Sequence, residues 1–288
     1  MKITGFAIIR NAIINDYPVV EAITSILPVV NEMIVLVGDS EDGTEQLIRN
    51  IASDKIRIHH SVWDPAIRKG GEILAVETNK AFDLVPDDSD WAFYIQGDEV
   101  VHEKYHAVIR QTAEKYTNDK QVDGLLFNYL HFYGTYNYVG DSRRWYHKEV
   151  RIIRNDKTIR SFRDAQGFRR NGEKLKVKPV DAWVYHYGWV KTPAQMIKKQ
   201  KHLSRFWSEE KQIAELNTKD VFDFSDFDSL TKFTGTHPQV MVPRIQSHNL
   251  TTTLDISKKK FSLKGRLLYW FEKKTGIRLF DFRNYKII

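Results

Sequence analysis

The first hundred residues alternate between short apolar runs and longer segments in which apolar side chains recur at helical spacing. The clearest run, 91–95, carries no charge and stops just before two adjacent acids, Asp98 and Glu99. An uncharged run of this length is typical of a strand buried on both faces of a parallel sheet. By the same reasoning, the pattern predicts strands at 3–9, 33–37 and 56–60 and helices at 18–26, 45–52 and 72–84.

Strands and helices that alternate without hairpin turns favour an α/β, Rossmann-like fold with a mostly parallel sheet flanked by helices. Beyond residue 190 the chain changes character, because Thr192 and Pro193 begin a basic helix that we expect to continue to residue 216. We predict a sheet domain over 1–190 and a mainly helical extension over 191–288, packed on it. The sheet should be mixed, since further strands are predicted at 124–128, 150–153 and 182–187, with a helix at 102–116.

Composition narrows the classes of protein. The chain has 288 residues, of which 42% are hydrophobic, as is ordinary for a globular protein. It contains no cysteine, which excludes disulfides, thiolate catalysis and cysteine-based zinc sites. Its apolar runs are shorter than the roughly 18 residues that a transmembrane helix needs, and the N-terminal run is too short for a signal peptide. We expect a cytoplasmic protein.

The net charge of +7 favours anionic partners: nucleotide phosphates, nucleic acid or an acidic membrane surface. No recognised nucleic-acid-binding motif is present, and the cations concentrate between residues 143 and 178, so we do not expect nucleic acid as a partner. The tail from Lys258 to Arg278 alternates cations with apolar residues. It predicts peripheral contact with the inner face of a membrane, and packing on its own domain is the alternative.

Two acids follow strands of the predicted sheet. Asp39 comes directly after the second strand and Asp98 after the fourth. Because parallel strands share a polarity, both acids lie at the carboxyl edge of the sheet, where α/β proteins bind ligands. One can accept hydrogen bonds from a base or ribose, and the other can bind a divalent metal that neutralises a diphosphate. The pattern predicts a nucleotide site with a metal.

Three short stretches, in this order and at this spacing, resemble the family 2 glycosyltransferases with the GT-A fold. They are Ile-Arg-Asn at 9–11, Val-Gly-Asp-Ser-Glu-Asp-Gly-Thr at 37–44 and Tyr-Ile-Gln-Gly-Asp-Glu-Val at 94–100. The resemblance lies in the first hundred residues, with later echoes at 149–154 and 186–188. It implies the GT-A variant of the α/β fold and an enzyme that uses a nucleoside-diphosphate sugar.

The resemblance also implies roles for individual residues. It makes Asp98 the metal-binding acid, with Mg²⁺ or Mn²⁺ as the cofactor. The residues that it places around the base and ribose of the donor are Ile9, Arg10, Asn11 and Asp39.

The sequence departs from this family at Gln96, where the first acid of an Asp-x-Asp motif is expected, with Gly97 between Gln96 and Asp98. Glutamine accepts a ribose hydrogen bond but adds no charge to a cation site. The fold therefore follows more directly from the resemblance than metal dependence does. Related transferases place a late histidine as a further metal or phosphate ligand, which implies His186 here; a structural histidine among aromatic residues is the alternative.

An inverting transfer needs a carboxylate that takes the proton from the attacking acceptor hydroxyl. Asp164, in a cation-rich, turn-like segment, is our first choice, followed by Glu149 and then Glu99; a salt bridge to a neighbouring arginine is the alternative for Asp164. Arginine and lysine side chains suit the diphosphate, although each could instead lie on a solvated strand face. The candidates are Arg151, Arg154, Arg68 and Lys69.

These observations predict a hexosyltransferase-like glycosyltransferase that acts on a saccharide or lipid-linked acceptor, with inversion, in surface polysaccharide or glycolipid synthesis. Because Gln96 replaces an acid, a non-catalytic nucleotide-sugar or carbohydrate-binding protein on the same fold is the alternative. A nucleotidyltransferase fits less well, since no Gly-rich, lysine-bearing loop follows the first strand.

Overall fold

The computed structural model describes residues 1–68, 70–207, 210–248, 250, 253–257 and 259–288. Lys69 and Lys258, which the sequence singles out, lie outside the described residues. The fold is the predicted α/β class, a mixed sheet with helices on both faces.

The N-terminal part of the sheet is parallel throughout, with neighbouring strands in the order β3-β2-β1-β4. The sequence predicts each of these strands and the helices between them, and the structure confirms them with small shifts at their ends. The strands are β1 (Ile3–Ile9), β2 (Glu32–Gly38), β3 (Ile56–Ser61) and β4 (Trp91–Tyr94), and the helices are α1 (Val19–Ile26), α2 (Thr44–Arg49) and α3 (Glu72–Asp83).

The sheet continues through strands of both directions: β5 (Glu99–Val101), β6 (Gly124–Gly140), β7 (Lys148–Arg154), β8 (Ile159–Phe162), β9 (Gly167–Arg170) and β10 (Glu173–Val190), with α4 (His106–Tyr116) after β5. Strand β7 lies antiparallel between β4 and β6, and the long β6 and β10 pair in parallel. Strand β5 pairs antiparallel with the C-terminal half of β10. This last pairing brings β10 to the carboxyl end of β4.

The C-terminal extension also joins the sheet. It contains α5 (Pro193–Ser204), α6 (Glu210–Asn217), β11 (Leu230–Lys232), α7 (Val242–Ser247), α8 (Leu263–Thr275) and β12 (Tyr285–Ile287). Strand β11 pairs with β6, and β12 pairs with β10. The prediction of one helix over 192–216 is wrong, because the chain turns after Ser204, where Phe206 becomes buried, and a second helix begins at Glu210. The division at residue 190 stays a prediction.

Two apolar layers enclose the sheet. On one face Trp91 and Phe93 pack with α1 and α4, and on the other Phe6 and Tyr94 pack with Phe82 of α3. All four residues of β4 are buried, as its uncharged sequence requires. Since helices cover both faces here, the strand ends are where this part of the sheet can meet a ligand.

Candidate active site

A cleft opens where β1 and β4 end. One wall is the carboxyl edge of the sheet, as the sequence predicts, and the other is helix α5 with the turn that follows it. The sheet side contributes Ile9, Arg10, Gln96, Gly97 and Asp98, the helix side contributes Lys199, His202, Leu203, Phe206 and Trp207, and Tyr17, Trp63 and Tyr94 lie between them.

Asp98 is the acid of this cleft. Its side chain is 14% exposed, and its Oδ2 lies 3.3 Å from Nζ of Lys199 and 3.6 Å from Nε2 of His186. Burial acts to raise the pKa of Asp98, but the positive charges of His186, Lys199 and Lys191 outweigh burial and hold that pKa well below its usual range. Asp98 is therefore an anion throughout the physiological pH range.

The register of β5 on β10 explains why His186 meets Asp98. His186 pairs with Glu99, and the Tyr187 amide donates a 2.8 Å hydrogen bond to the Asp98 carbonyl oxygen. A Cβ on Gly188 would lie 2.5 Å from Oδ2 of Asp98, closer than real Cβ contacts come. The glycine leaves room for the Asp98 carboxylate and the His186 ring to lie together.

Lys199 completes this group from α5. Its Nζ donates hydrogen bonds to the Gly188 carbonyl oxygen at 2.9 Å and to Asp98, and it lies 4.8 Å from the centre of the Tyr17 ring. Helix α5 is fixed at its start by a capping box between Thr192 and Gln195. No sequence motif marks Lys199, although positions 199, 202 and 203 share one face of α5 by their spacing. That spacing is the signal that could have found it.

Arg10 and Asp39 lie together at the other end of the cleft. Nη2 of Arg10 is 3.1 Å from Oδ2 of Asp39, and the guanidinium lies 5.3 Å from the Trp63 ring centre and 6.0 Å from that of Phe206. Oδ1 of Asp39 accepts a hydrogen bond from the Trp63 amide. The structure thus places a cation, an anion and two aromatic rings in one group.

Asn11 is buried and holds other parts of the site in place. Its Oδ1 accepts a 2.8 Å hydrogen bond from the Glu41 amide, and its Nδ2 lies 2.9 Å from Nε2 of His202. The backbone of Asn11 has φ of 51°, a left-handed conformation that asparagine tolerates better than most residues. Asn11 links the loop after β2 to helix α5 from beneath the cleft.

Glu99 faces away from Asp98, into the sheet. It is fully buried and accepts two hydrogen bonds from Arg151, at 2.6 and 2.9 Å, and another from the Tyr129 hydroxyl. Glu99 also accepts a 3.2 Å hydrogen bond from the backbone N–H of Gln96, and this bond fixes the turn that carries Gly97 and Asp98. Arg151 is 2% exposed, so its predicted donor contact stays a prediction that requires this ion pair to open.

Arg154 is likewise engaged inside the protein. Its guanidinium donates to the carbonyl oxygens of Tyr116, Thr117, Asp119 and Val122, at the end of α4. These bonds satisfy helix-end carbonyl groups and leave Arg154 away from the cleft. Arg68 is exposed in the loop before α3.

The two candidate bases differ in their surroundings. Asp164 lies between two residues of positive φ and packs beside Gly71 and Trp207, the latter on the cleft wall. Within the described part of the chain, no hydrogen bond or ion pair occupies its carboxylate. Glu149 is buried in a separate cavity, where burial first, and then the charges of Glu99 and Asp164, raise its pKa to about 8 despite the opposing charge of Arg151.

The predicted metal ligands Asp98 and His186 do lie together. Among the described residues, however, no three histidine or acidic side chains form a group that could hold a metal ion. The other side chain beside Asp98 is Lys199, whose ammonium group has no lone pair and cannot bind a metal ion. Mg²⁺ in proteins is bound by carboxylates and phosphates, and repulsion from Lys199 would oppose a second cation here. The donor set does not fit a resident divalent metal.

The strand order and the cleft at the carboxyl edge define an α/β protein of the GT-A class. No family model matches the sequence, and no curated protein matches it. Among solved structures, the chain is similar to TarS from S. aureus, at 13% identity and a TM-score of 0.40, over 75% of this chain and 42% of TarS.

Two further structures of this kind carry ligands. The 1–349 part of TarS in complex with UDP is 14% identical, with a TM-score of 0.41, over 75% of this chain and 69% of that one. Glucosyl-3-phosphoglycerate synthase from Mycobacterium tuberculosis, in complex with Mn²⁺, UDP and phosphoglyceric acid, is 20% identical, with a TM-score of 0.31. The match covers 45% of this chain and 43% of the synthase. The chain matches less than half of the full TarS chain and of the synthase. Its activity has to be argued from its own residues.

Proposed function

We propose that the protein is a glycosyltransferase that takes a sugar from a nucleoside-diphosphate donor. The observation that carries the proposal is the pairing of Asp98 with Lys199 in a cleft on the carboxyl edge of the sheet, with His186 beside Asp98. The resemblance of residues 9–11, 37–44 and 94–100 to family 2 glycosyltransferases supports the same conclusion.

The donor would lie along the cleft. Its base and ribose belong near Arg10 and Asp39, where Trp63 and Phe206 add aromatic surface for stacking. Gln96 and Gly97 line the middle of the cleft, and a Cβ on Gly97 would lie only 3.1 Å from the Ile9 side chain. The diphosphate would then reach the cationic end, beside Lys199 and His186.

Transfer with inversion needs a base on the acceptor side. The acceptor hydroxyl oxygen bonds to the anomeric carbon, its proton passes to a carboxylate, and the diphosphate leaves with the electron pair of the broken bond. Asp164 suits this role because its carboxylate is unoccupied at the cleft rim. Glu149 suits it less, since a carboxyl of pKa about 8 is mostly protonated at neutral pH and cannot accept the proton.

Calorimetry tests the donor site directly. The protein is titrated with UDP, GDP, ADP and CDP and with the corresponding sugars, and turnover is followed as nucleoside diphosphate released with saccharide acceptors. We expect one nucleotide to bind and its sugar to be transferred. Absence of binding for the whole series would overturn the proposal, and binding without any transfer would favour the non-catalytic alternative.

The acceptor class is a saccharide or a glycolipid, and the C-terminal region supports the membrane-linked choice. In the described part of the chain, no helix has the length and apolarity to cross a bilayer. Helix α8 is held to the protein through Tyr269 and Glu272, which bond Asp141 and Arg143. Apolar side chains stay exposed around it, and they are Leu263, Leu267, Trp270, Phe280 and Phe282.

Those side chains stand among lysines and arginines, an arrangement that binds anionic membrane surfaces. Sedimentation with vesicles tests this contact. We expect binding to vesicles rich in phosphatidylglycerol, weak binding to phosphatidylcholine, and loss of binding in Leu267→Glu/Trp270→Glu. Equal recovery of the double variant and the wild type with anionic vesicles would refute the contact. Val62→Glu, at another exposed apolar residue, is the control.

A further inference from the structure

We infer that Lys199 takes the position of the divalent cation in this site, binding the donor diphosphate and stabilising it as it leaves. The inference rests on the proposed function and adds to it that transfer proceeds without a bound metal. Lys199 comes from helix α5, outside the motifs that resemble family 2 glycosyltransferases.

The geometry leaves Lys199 ready for a ligand. A lysine ammonium carries three N–H donors. Two are engaged, by the Gly188 carbonyl oxygen at 2.9 Å and by Asp98 at 3.3 Å, and these are its hydrogen bonds within the residues that the structure describes. The side chain is 12% exposed and lines the cleft. The third donor is available to a phosphate oxygen, and the other two hold the ammonium in place.

The surroundings favour the ammonium over a metal ion. Lys199 already neutralises the Asp98 carboxylate through its Oδ2, so less negative charge is left to attract a metal. Position 96, where a second carboxylate would help to hold a metal, is a glutamine. A compact, fixed ammonium is a common phosphate-binding group, and held in a buried site it needs little rearrangement during the reaction.

The step balances without a metal. The bond between the anomeric carbon and the phosphate oxygen breaks, and its electron pair stays on that oxygen. The added negative charge on the diphosphate faces the Lys199 ammonium, which keeps its proton. The acceptor oxygen forms the new bond to the anomeric carbon, and its proton passes to the Asp164 carboxylate.

Calorimetry on Lys199→Ala tests the inference, using the diphosphate that the wild type binds and the nucleoside of the same base. Lys198→Ala is the matched control, because Lys198 is the exposed neighbour on the same helix. We expect the wild type to bind the diphosphate equally well in EDTA and in Mn²⁺. Loss of a charged hydrogen bond should weaken diphosphate binding by Lys199→Ala roughly ten- to a hundredfold. Nucleoside binding should be unchanged, and Lys198→Ala should match the wild type.

The outcomes separate the two proposals. If the wild type binds a diphosphate only with Mn²⁺, or if Lys199→Ala binds it as tightly as the wild type, the Lys199 inference is overturned and the proposed function stands. If the wild type binds no diphosphate in either condition, the proposed function itself fails. Lys199→Arg, which keeps the charge, should retain most of the binding, and unchanged nucleoside binding by Lys199→Ala shows that its loss of diphosphate binding is not unfolding.

Discussion

The two walls of the cleft are specified in different ways. The sheet wall is encoded locally, because short motifs after β1, β2 and β4 place Arg10, Asp39 and Asp98 at strand ends. The helix wall is encoded by packing, because Lys199 reaches Asp98 across a sequence separation of 101 residues. A motif can reveal the first wall, whereas only the folded chain reveals the second. The chemistry needs both, since the anion and its cation come from different walls.

The turn after β4 repeats this contrast within two residues. Asp98 points into the cleft toward cations that are partly accessible, and Glu99 points into the sheet toward a fully buried arginine. A carboxylate therefore serves binding on one side of the turn and stability on the other. Substituting each acid separately should divide activity from stability.

The largest effect is expected for Asp98→Asn. The substitution removes the anion that holds Lys199 and His186, and turnover should fall by about a thousandfold, as for loss of a preorganised electrostatic group. The low pKa of Asp98 means that its charge also stabilises the folded protein, so the melting temperature should fall as well, but less than for a fully buried pair because Asp98 and Lys199 are partly accessible to water. Steady-state release of nucleoside diphosphate and a melting curve measure the two effects. Asp54→Asn, at an exposed acid remote from the cleft, is the control; turnover near the wild-type rate in Asp98→Asn would refute the assignment of Asp98.

Glu99→Gln should have the opposite profile. It removes the carboxylate that lies 2.6 Å from the buried Arg151, and Glu149, at 4.0 Å and mostly protonated at neutral pH, compensates only in part. Breaking such a pair costs about 3 kcal/mol of unfolding free energy. Urea denaturation measures this loss. Adding Arg151→Met should recover part of the stability, because the uncompensated charge is then removed as well. If Glu99→Gln is as stable as the wild type, the buried pair does not hold the turn.

The sequence predicts the parallel half of the fold and the sheet wall because uncharged strands, helical spacing and strand-end acids are local signals. It predicts β6 only to residue 128, although the strand runs to Gly140. The segment is aromatic-rich, and residues 131–136 are buried on both sides, so no alternation marks them as strand. The meeting of His186 with Asp98 depends on the register of β5 on β10, and the contacts of Trp63 and Lys199 depend on where α5 packs. No local pattern contains that information.

Asp164→Asn tests the proposed base on the acceptor side of the site. Removing a general base lowers turnover by about a hundredfold or more, while nucleotide binding should stay within about twofold, because we propose that this carboxylate acts on the acceptor and not on the donor. Single-turnover rates and calorimetry separate these quantities. Asp181→Asn, at an exposed acid of β10, serves as the control. Full turnover by Asp164→Asn would mean that another carboxylate is the base.

The smallest effect on turnover is expected for Glu149, whose protonation is measured as a change in folding stability with pH. Its pKa in the folded protein is about 8, above the ordinary value of 4.5, so the folded state binds more protons than the unfolded state between these values. The contribution of Glu149 to stability is therefore present at pH below 4.5 and is lost as pH rises through 8. Glu149→Gln stays neutral and should avoid this loss.

In urea denaturation, the stability advantage of Glu149→Gln over the wild type should grow by about 1.4 kcal/mol for each pH unit between pH 4.5 and pH 8. Glu114→Gln, at an exposed glutamate of α4, should show no such growth. A constant difference between Glu149→Gln and the wild type would mean that Glu149 is already ionised at neutral pH. It would then compete with Asp164 for the role of base, and the rim of the cleft would no longer be the favoured position for proton transfer.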